Sequence, residues 1–255
     1  MLWNPVLGRL GTGWTYEAWD VPPDGDLASV RDRLLEPGII AANVTMPHKH
    51  WAADAAENAT KEVLLSGACN LLLRRGSTLF GHNTDIMAVR SLLGGGFQRH
   101  VLLMGAGGAA RAVLIGLRGQ AGTVTISDRD PRAMEELLGL AKELGIAARS
   151  VDWDEARALA PEASLLVNAT PIGKSVSDGP VWGDGPLASD AVVYDFVYAG
   201  HVTGTLSRAR GLGARCIDGW DHLYEQAVAM IPLLGLDGRA RELLKESLVR
   251  VRSGA

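Results

Sequence analysis

The chain has 255 residues, enough for one large domain or two smaller ones, and 47% hydrophobic residues are ample for a real core. Its formal net charge of −4, from 25 basic and 29 acidic side chains spread along the chain, supplies no cationic face of the kind nucleic acid needs. No apolar run reaches the roughly 20 residues of a membrane span, and the opening "MLWNPVLGRLG" lacks a basic leader, so a cytoplasmic protein is expected.

In chain order, "LASVRDRLL" (27–35) has apolar residues at helical spacing, and "EPGIIAANVTMP" reads as a helix end, a turn and a short buried strand. "DAAENATKEVLLSG" (54–67) reads as a helix, and "ACNLLLRRGSTLFGHNTD" as a hairpin turning at "RRGS". "IMAVRSLLGGG" reads as a helix ending in glycines that leads to a second domain. From residue 100 the pattern sharpens. "HVLLMGAGGAARAVLIGLRGQAGTVTISDRD" gives strand, glycine turn, helix, strand and acidic residue, and "AMEELLGLAKELG", "ASLLVNAT", "AVVYDFVY", "TLSRARGLG" and "ARCIDGW" continue the alternation. The expected fold class is α/β, with a parallel sheet covered on both faces. The last stretches, "LYEQAVAMIPLLGL" and "ARELLKESLVRVRSG", are helical and are expected to pack on the first domain.

The glycine turn carries the first functional signal. Gly105 ends an apolar strand, Gly107 lets a pyrophosphate approach the backbone, and Ala110 lets helix pack on strand. The helix opening at Gly108 and Ala109 directs unpaired N–H groups at phosphates. Asp128 ends the second strand, where a carboxylate can accept from ribose hydroxyls and repels a 2′-phosphate. Arg129 and Arg132 pull the other way. A nicotinamide dinucleotide, NAD or NADP with NAD favoured, is the expected cofactor. A dehydrogenase also needs a positioned acid–base group beside the carbon it oxidises, and Lys49 in "PHK" and Asp85 in "NTD" are suited to it, although such a pair is also an ordinary ion pair. Cys69 and Cys216 lie outside any C-x-x-C spacing, and His48 and His50 lack an obvious third ligand, so neither a disulfide framework nor a metal site is expected.

These segments together resemble the shikimate/quinate dehydrogenase family. The matches are "NVTMPHK" (43–49), "GACN" (67–70), "GHNTD" (81–85), "GAGGAARA" (105–112), "NATPIG" (168–173), "YDFVY" (194–198), Thr203, and Asp218–Gly219 followed by Gln226–Ala227. The resemblance implies a Rossmann-type dinucleotide domain over 91–221 and a smaller α/β substrate domain made of 1–90 plus 222–255. It implies Lys49 and Asp85 as the catalytic pair, and Thr45, Asn70, Tyr198 and Gln226 as substrate contacts. Asn168 and Thr170 match the loop bordering the cofactor, although both are also ordinary turn residues. The substrate implied is a small cyclic hydroxy acid, the reaction its interconversion with the 3-keto form, and the assembly a monomer or homodimer. At the end of the second strand, "SDRDPR" is more similar to the NAD-using branch than to the "NRT" of NADP-using members.

The chain departs from the family in places. It lacks the opening strand and serine-x-serine stretch, whose hydroxyls help hold the substrate carboxylate. This implies either a misplaced start or an incomplete carboxylate site, at a cost of about 1.5–3 kcal/mol per unreplaced bond. Leu71, Gly200, Trp220, Asp221 and His222 also differ, with His222 expected either as a solvated helix residue or as a contact to an altered substrate. The alternatives are therefore a tailoring reductase for an amino or deoxy relative, or a catalytically weak paralogue that binds cofactor and ligand.

Overall fold

The structure, a computed structural model, describes residues 2–94, 96 and 98–253. It divides into two compact units, Met1–Met87 with Tyr224–Ala255, and Ala88–Leu223. Both divisions fall inside helices, where composition gives no boundary signal. Among the described residues no helix is long and apolar enough to cross a membrane.

The first unit opens with helices α1 (Asn4–Leu10) and α2 (Leu27–Leu34), the latter capped by Asp26, whose carboxylate accepts from the Ala28 and Ser29 amides. Strand β1 (Ala41–Asn43), helix α3 (Lys49–Ala55), strand β2 (Asn58–Ala59), helix α4 (Lys61–Ser66), strands β3 (Leu71–Arg75) and β4 (Thr78–His82), and helix α5 (Thr84–Leu93) follow. The strands form one sheet in the order β1-β3-β4-β2, antiparallel except for β2 beside β4. Arg75 pairs with Thr78, so the hairpin turns on Gly76 and Ser77, and Gly76 takes the positive φ of 65° that such a tight turn requires.

Residues 54–67 do not form the single helix their pattern predicts. Asn58 and Ala59 pair with Phe80 and Gly81, and the Glu57 carboxylate accepts from the Leu79 amide at 2.6 Å. Tertiary pairing therefore overrides helical propensity here, and the helix restarts after Thr60. Likewise β1 lies at the sheet edge, paired only with β3, and is half exposed rather than buried.

Strand β3 explains the run Leu71-Leu72-Leu73, because both of its faces are covered. Leu71 and Leu73 pack with Trp3, Val6 and Leu7, and with Met230 and Leu244 from the chain's last two helices, α10 (Gly219–Leu233) and α11 (Arg239–Ser253). Leu72 faces the other way, onto Leu34, Ala52, Val63 and Leu79. The chain's two ends thus share one face of the sheet. Ser247 Oγ donates to the Leu2 carbonyl at 2.7 Å, and Arg9 pairs with Glu246.

The second unit contains strand β5 (Gln98–Met104), helix α6 (Gly108–Gly116), β6 (Ala121–Ser127), α7 (Pro131–Glu143), β7 (Ala147–Ser150), α8 (Trp153–Ala158), β8 (Leu165–Asn168), β9 (Val192–Asp195), α9 (Gly204–Gly211) and β10 (Arg215–Ile217). All pairings are parallel, in the order β10-β9-β8-β5-β6-β7. This is the doubly wound, Rossmann-type arrangement. From β5 the chain moves outward to β7 and then returns to β8 on the other side, so the strand order reverses between β5 and β8. Val101 to Met104 and Leu165 to Asn168 are completely buried, as central strands covered on both faces must be.

Candidate active site

In the first unit, Lys49 is the first residue of α3, and its carbonyl is held by the Cys69 amide at 2.9 Å. Its Nζ donates to Asp85 Oδ2 at 2.8 Å, with the lysine side chain 30% exposed and the aspartate 12%. Asp85 stands in the first turn of α5, where the helix dipole favours a carboxylate. Its other oxygen, Oδ1, accepts from Gln226 Nε2 on α10. Three of the sequence-predicted residues therefore form one bonded chain.

Asn70 is bonded to Thr84, the neighbour of Asp85. Its Oδ1 accepts from the Thr84 amide at 2.7 Å, and its Nδ2 donates to Thr84 Oγ1 at 3.0 Å, locking the residue next to Asp85 against the start of β3. Thr84 is fully buried and, although it lies inside "GHNTD", carries no chemical signal of its own in the sequence. Replacing it with valine strands the Asn70 amide, so Thr84→Val is expected to lower stability to urea by about 1–3 kcal/mol. Thr45 lies exposed on the loop between β1 and α3. The neighbouring histidines are tied to backbone carbonyls, His48 Nε2 to Val21 at 2.8 Å and His50 Nδ1 to Gly67 at 2.7 Å. Among the described residues no group of three or more His, Cys, Asp or Glu side chains is placed to hold a metal ion.

In the second unit, the glycine turn lies at the carboxyl end of β5. Gly105 has φ 105°, and a Cβ there would meet the Ala169 carbonyl carbon and oxygen at 2.8 Å, so only glycine fits. Asp128 Oδ2 accepts from the Ala106 amide at 2.7 Å and Oδ1 from the Asp130 amide at 2.9 Å, which staples the glycine turn to the end of β6. Around Gly107 and Gly108 the opposite holds, for a Cβ at either would enter open space. The turn thus presents bare backbone beside the first-turn N–H groups of α6, with Ala109 in that turn, a donor set that suits a pyrophosphate. Arg129 and Arg132 are exposed beyond it.

Asn168, the last residue of β8, is fully buried. Its Oδ1 accepts from the Thr170 amide and hydroxyl at 3.1 and 2.6 Å, and its Nδ2 donates to the Ile172 carbonyl at 2.8 Å and to Asp195 Oδ1 at 2.9 Å. Asn168 and Thr170 therefore make turn chemistry with each other, in a loop that abuts Gly105. Burial pushes the Asp195 carboxyl above the usual range, against the pull of its bonds to Thr203, Val197 and Asn168 and with some help from Asp218. Tyr198 is 59% exposed, its ring 5.6 Å from that of Trp220. His222 is not a solvated helix residue. It is buried, with Nδ1 2.5 Å from the Tyr194 hydroxyl and its ring 4.6 Å from Phe196. The aromatic run at the end of β9 draws it inward.

Residues 1–72 match the family model described as the shikimate dehydrogenase substrate binding domain. The shikimate dehydrogenase (NADP(+)) of Geobacter metallireducens is 36% identical over 236 residues, covering 89% of this chain and 82% of that protein. The chain belongs to the shikimate dehydrogenase family. That family is one of NAD(P)-dependent oxidoreductases acting on a CH–OH group. Among solved shikimate dehydrogenase family structures, shikimate 5-dehydrogenase from Thermus thermophilus, in complex with NADP(H) and shikimate, superposes with a TM-score of 0.77 at 30% identity. That match covers 96% of this chain and 93% of that one. Quinate dehydrogenase from Corynebacterium glutamicum, in complex with NAD, matches with the same TM-score at 26% identity, over 88% of this chain and 84% of its own.

Proposed function

We propose that this chain interconverts a shikimate-like or quinate-like cyclic polyol and its 3-keto form, with the first unit holding the polyol and the second the dinucleotide. The observation that carries this reading is the chain Gln226–Asp85–Lys49, an amide fixing one oxygen of a carboxylate so that the other stays on the lysine. A nicotinamide held at the glycine turn would supply the hydride acceptor for the carbinol carbon, and its reduced form the donor for the ketone. In oxidation Lys49 Nζ acts as the neutral amine, taking the hydroxyl proton and becoming the ammonium, and in reduction the ammonium gives that proton back, a contribution of about 100- to 10,000-fold for a positioned acid–base group. Asp85 accepts a hydrogen bond from Lys49 throughout and holds it in place, and Gln226 keeps the carboxylate from rotating. Thr45 and Asn70, both in the first unit, contribute substrate contacts. The test follows NAD and NADP reduction with shikimate, quinate and aminated analogues, with Lys49→Ala as control. Cofactor binding without turnover of any of these polyols sinks the dehydrogenase reading for them.

For the dinucleotide we favour NAD, on Asp128. Its carboxylate is fixed by two backbone amides at the strand end where the ribose is expected, and it repels a 2′-phosphate. The exposed Arg129 and the NADP in the names of the curated relatives weigh on the other side. Asp128→Ser is expected to move the NADP-to-NAD ratio of kcat/KM upward by about tenfold or more, the effect of roughly 1.4 kcal/mol of relieved repulsion. An unchanged ratio excludes Asp128 as the discriminating group.

A further inference from the structure

Asp195 ends β9 and is completely buried, yet no step of the reaction uses it. Its Oδ1 accepts from Asn168 Nδ2 at 2.9 Å and from the Val197 amide at 3.0 Å, and its Oδ2 accepts from Thr203 Oγ1 at 2.6 Å. The Val197 amide can only donate, and the Thr203 hydroxyl, which already accepts from the Leu206 amide, donates as well, so both oxygens of Asp195 act as acceptors. For Asn168 this fixes which way the amide lies. Its NH₂ faces Asp195 and the Ile172 carbonyl, and its oxygen is left for the Thr170 amide and hydroxyl. A reversed amide would set oxygen against oxygen and release Thr170.

The same carboxylate reaches two further segments. The Val197 amide is next to Tyr198, and Thr203 caps α9 through the Leu206 amide at 3.1 Å. These segments touch with no slack. A Cβ at Gly105 would meet Ala169 at 2.8 Å, one at Gly173 would meet Thr203 at 3.1 Å, and one at Gly219 would meet the Val197–Tyr198 peptide at 2.8 Å. A shift in any of these backbones is therefore passed to the next.

We propose that Asp195 is a positioning residue for the dinucleotide, holding the 168–173 turn and the 196–198 segment in register with the glycine turn at 105–108. It rests on the reading that this glycine turn holds the nicotinamide cofactor. Asp195→Asn keeps the shape of the side chain while giving it a donor where every partner already donates.

The test titrates NAD and NADP binding calorimetrically without substrate, and follows thermal melting and steady-state kinetics, for Asp195→Asn, Asn168→Ala and the double variant. Asp195→Asn is expected to raise the cofactor dissociation constant and KM by about tenfold or more while the polyol KM stays within about twofold. The double variant is expected to be no worse than the worse single, because both act through one contact. Unchanged cofactor affinity, a loss confined to melting temperature, or effects that multiply in the double variant overturn the proposal. If Asp195→Asn does not fold, Thr203→Val removes one partner of the same carboxylate and is expected to weaken cofactor binding by about threefold. No weakening there overturns it too. A wild-type chain that binds neither NAD nor NADP defeats the cofactor reading itself, whereas cofactor binding without polyol turnover defeats only the substrate reading.

Discussion

Lys49→Ala is expected to lower kcat by about 100- to 10,000-fold while leaving the dissociation constant of the dinucleotide unchanged. The first half follows from proton transfer. A hydroxyl that loses hydride from its carbon must also lose its proton, and Lys49 Nζ, half-buried and held 2.8 Å from Asp85, is the group we propose to take it. The second half follows from location, because the glycine turn and Asp128 belong to the other unit. Asp85→Asn removes the charge that draws the ammonium in and is expected to lower kcat strongly as well. Gln226→Ala removes a single hydrogen bond to that carboxylate, so a smaller loss, about tenfold or one hydrogen bond's roughly 1–1.5 kcal/mol, is expected. Steady-state rates over a range of pH, beside calorimetric cofactor titration, check all three. A Lys49→Ala enzyme with wild-type kcat refutes the assignment.

Two alanine substitutions two residues apart are expected to fail in opposite ways. Gly105→Ala forces a side chain onto a backbone with φ 105° and drives its Cβ to 2.8 Å from the Ala169 carbonyl. Strain and overpacking together are expected to cost on the order of 2–5 kcal/mol, read as a large fall in the urea midpoint. At Gly107 φ is −81° and nothing lies within 4 Å of the added carbon, so the fold is expected to tolerate Gly107→Ala. The methyl group then occupies the space into which a pyrophosphate must come, and cofactor affinity is expected to fall by about tenfold or more with melting unchanged. Unfolding by Gly107→Ala, or an unperturbed cofactor affinity, removes the phosphate from that turn.

The second unit is the more legible part of the sequence, because its signals are local. An apolar run, a glycine turn and an apolar helix, as in "VLLMGAGGAARAVLIG", set strand, turn and helix within one stretch. The first unit is read less well where pairing decides. Nothing within residues 54–67 says that Asn58 and Ala59 will lie beside β4, since Phe80, Gly81 and Leu79 supply the partners. The candidate site divides in the same way. Lys49 and Asp85 stand out by motif, but the closure of Gln226 on the same carboxylate spans 141 residues and has no local trace. Asp195 sits in plain view in "YDFVY" and reads as an ordinary strand end. Only the convergence of Asn168, Val197 and Thr203 on it reveals a hub. His222 deceived because its polarity suggests water, whereas Tyr194 and Phe196 give it an aromatic bed.

The sharing of one sheet face by the chain's two ends sets an order of events during synthesis. Ala88–Leu223 is contiguous and can close its parallel sheet as soon as β10 has emerged from the ribosome. Trp3, Val6 and Leu7, made before it, have only the cover of their own unit's first segment, Leu71 and Leu73 among it, until Met230 and Leu244 follow. Until then part of this apolar face stays open, so the first unit, unlike the contiguous second one, cannot complete its core before the second has been made.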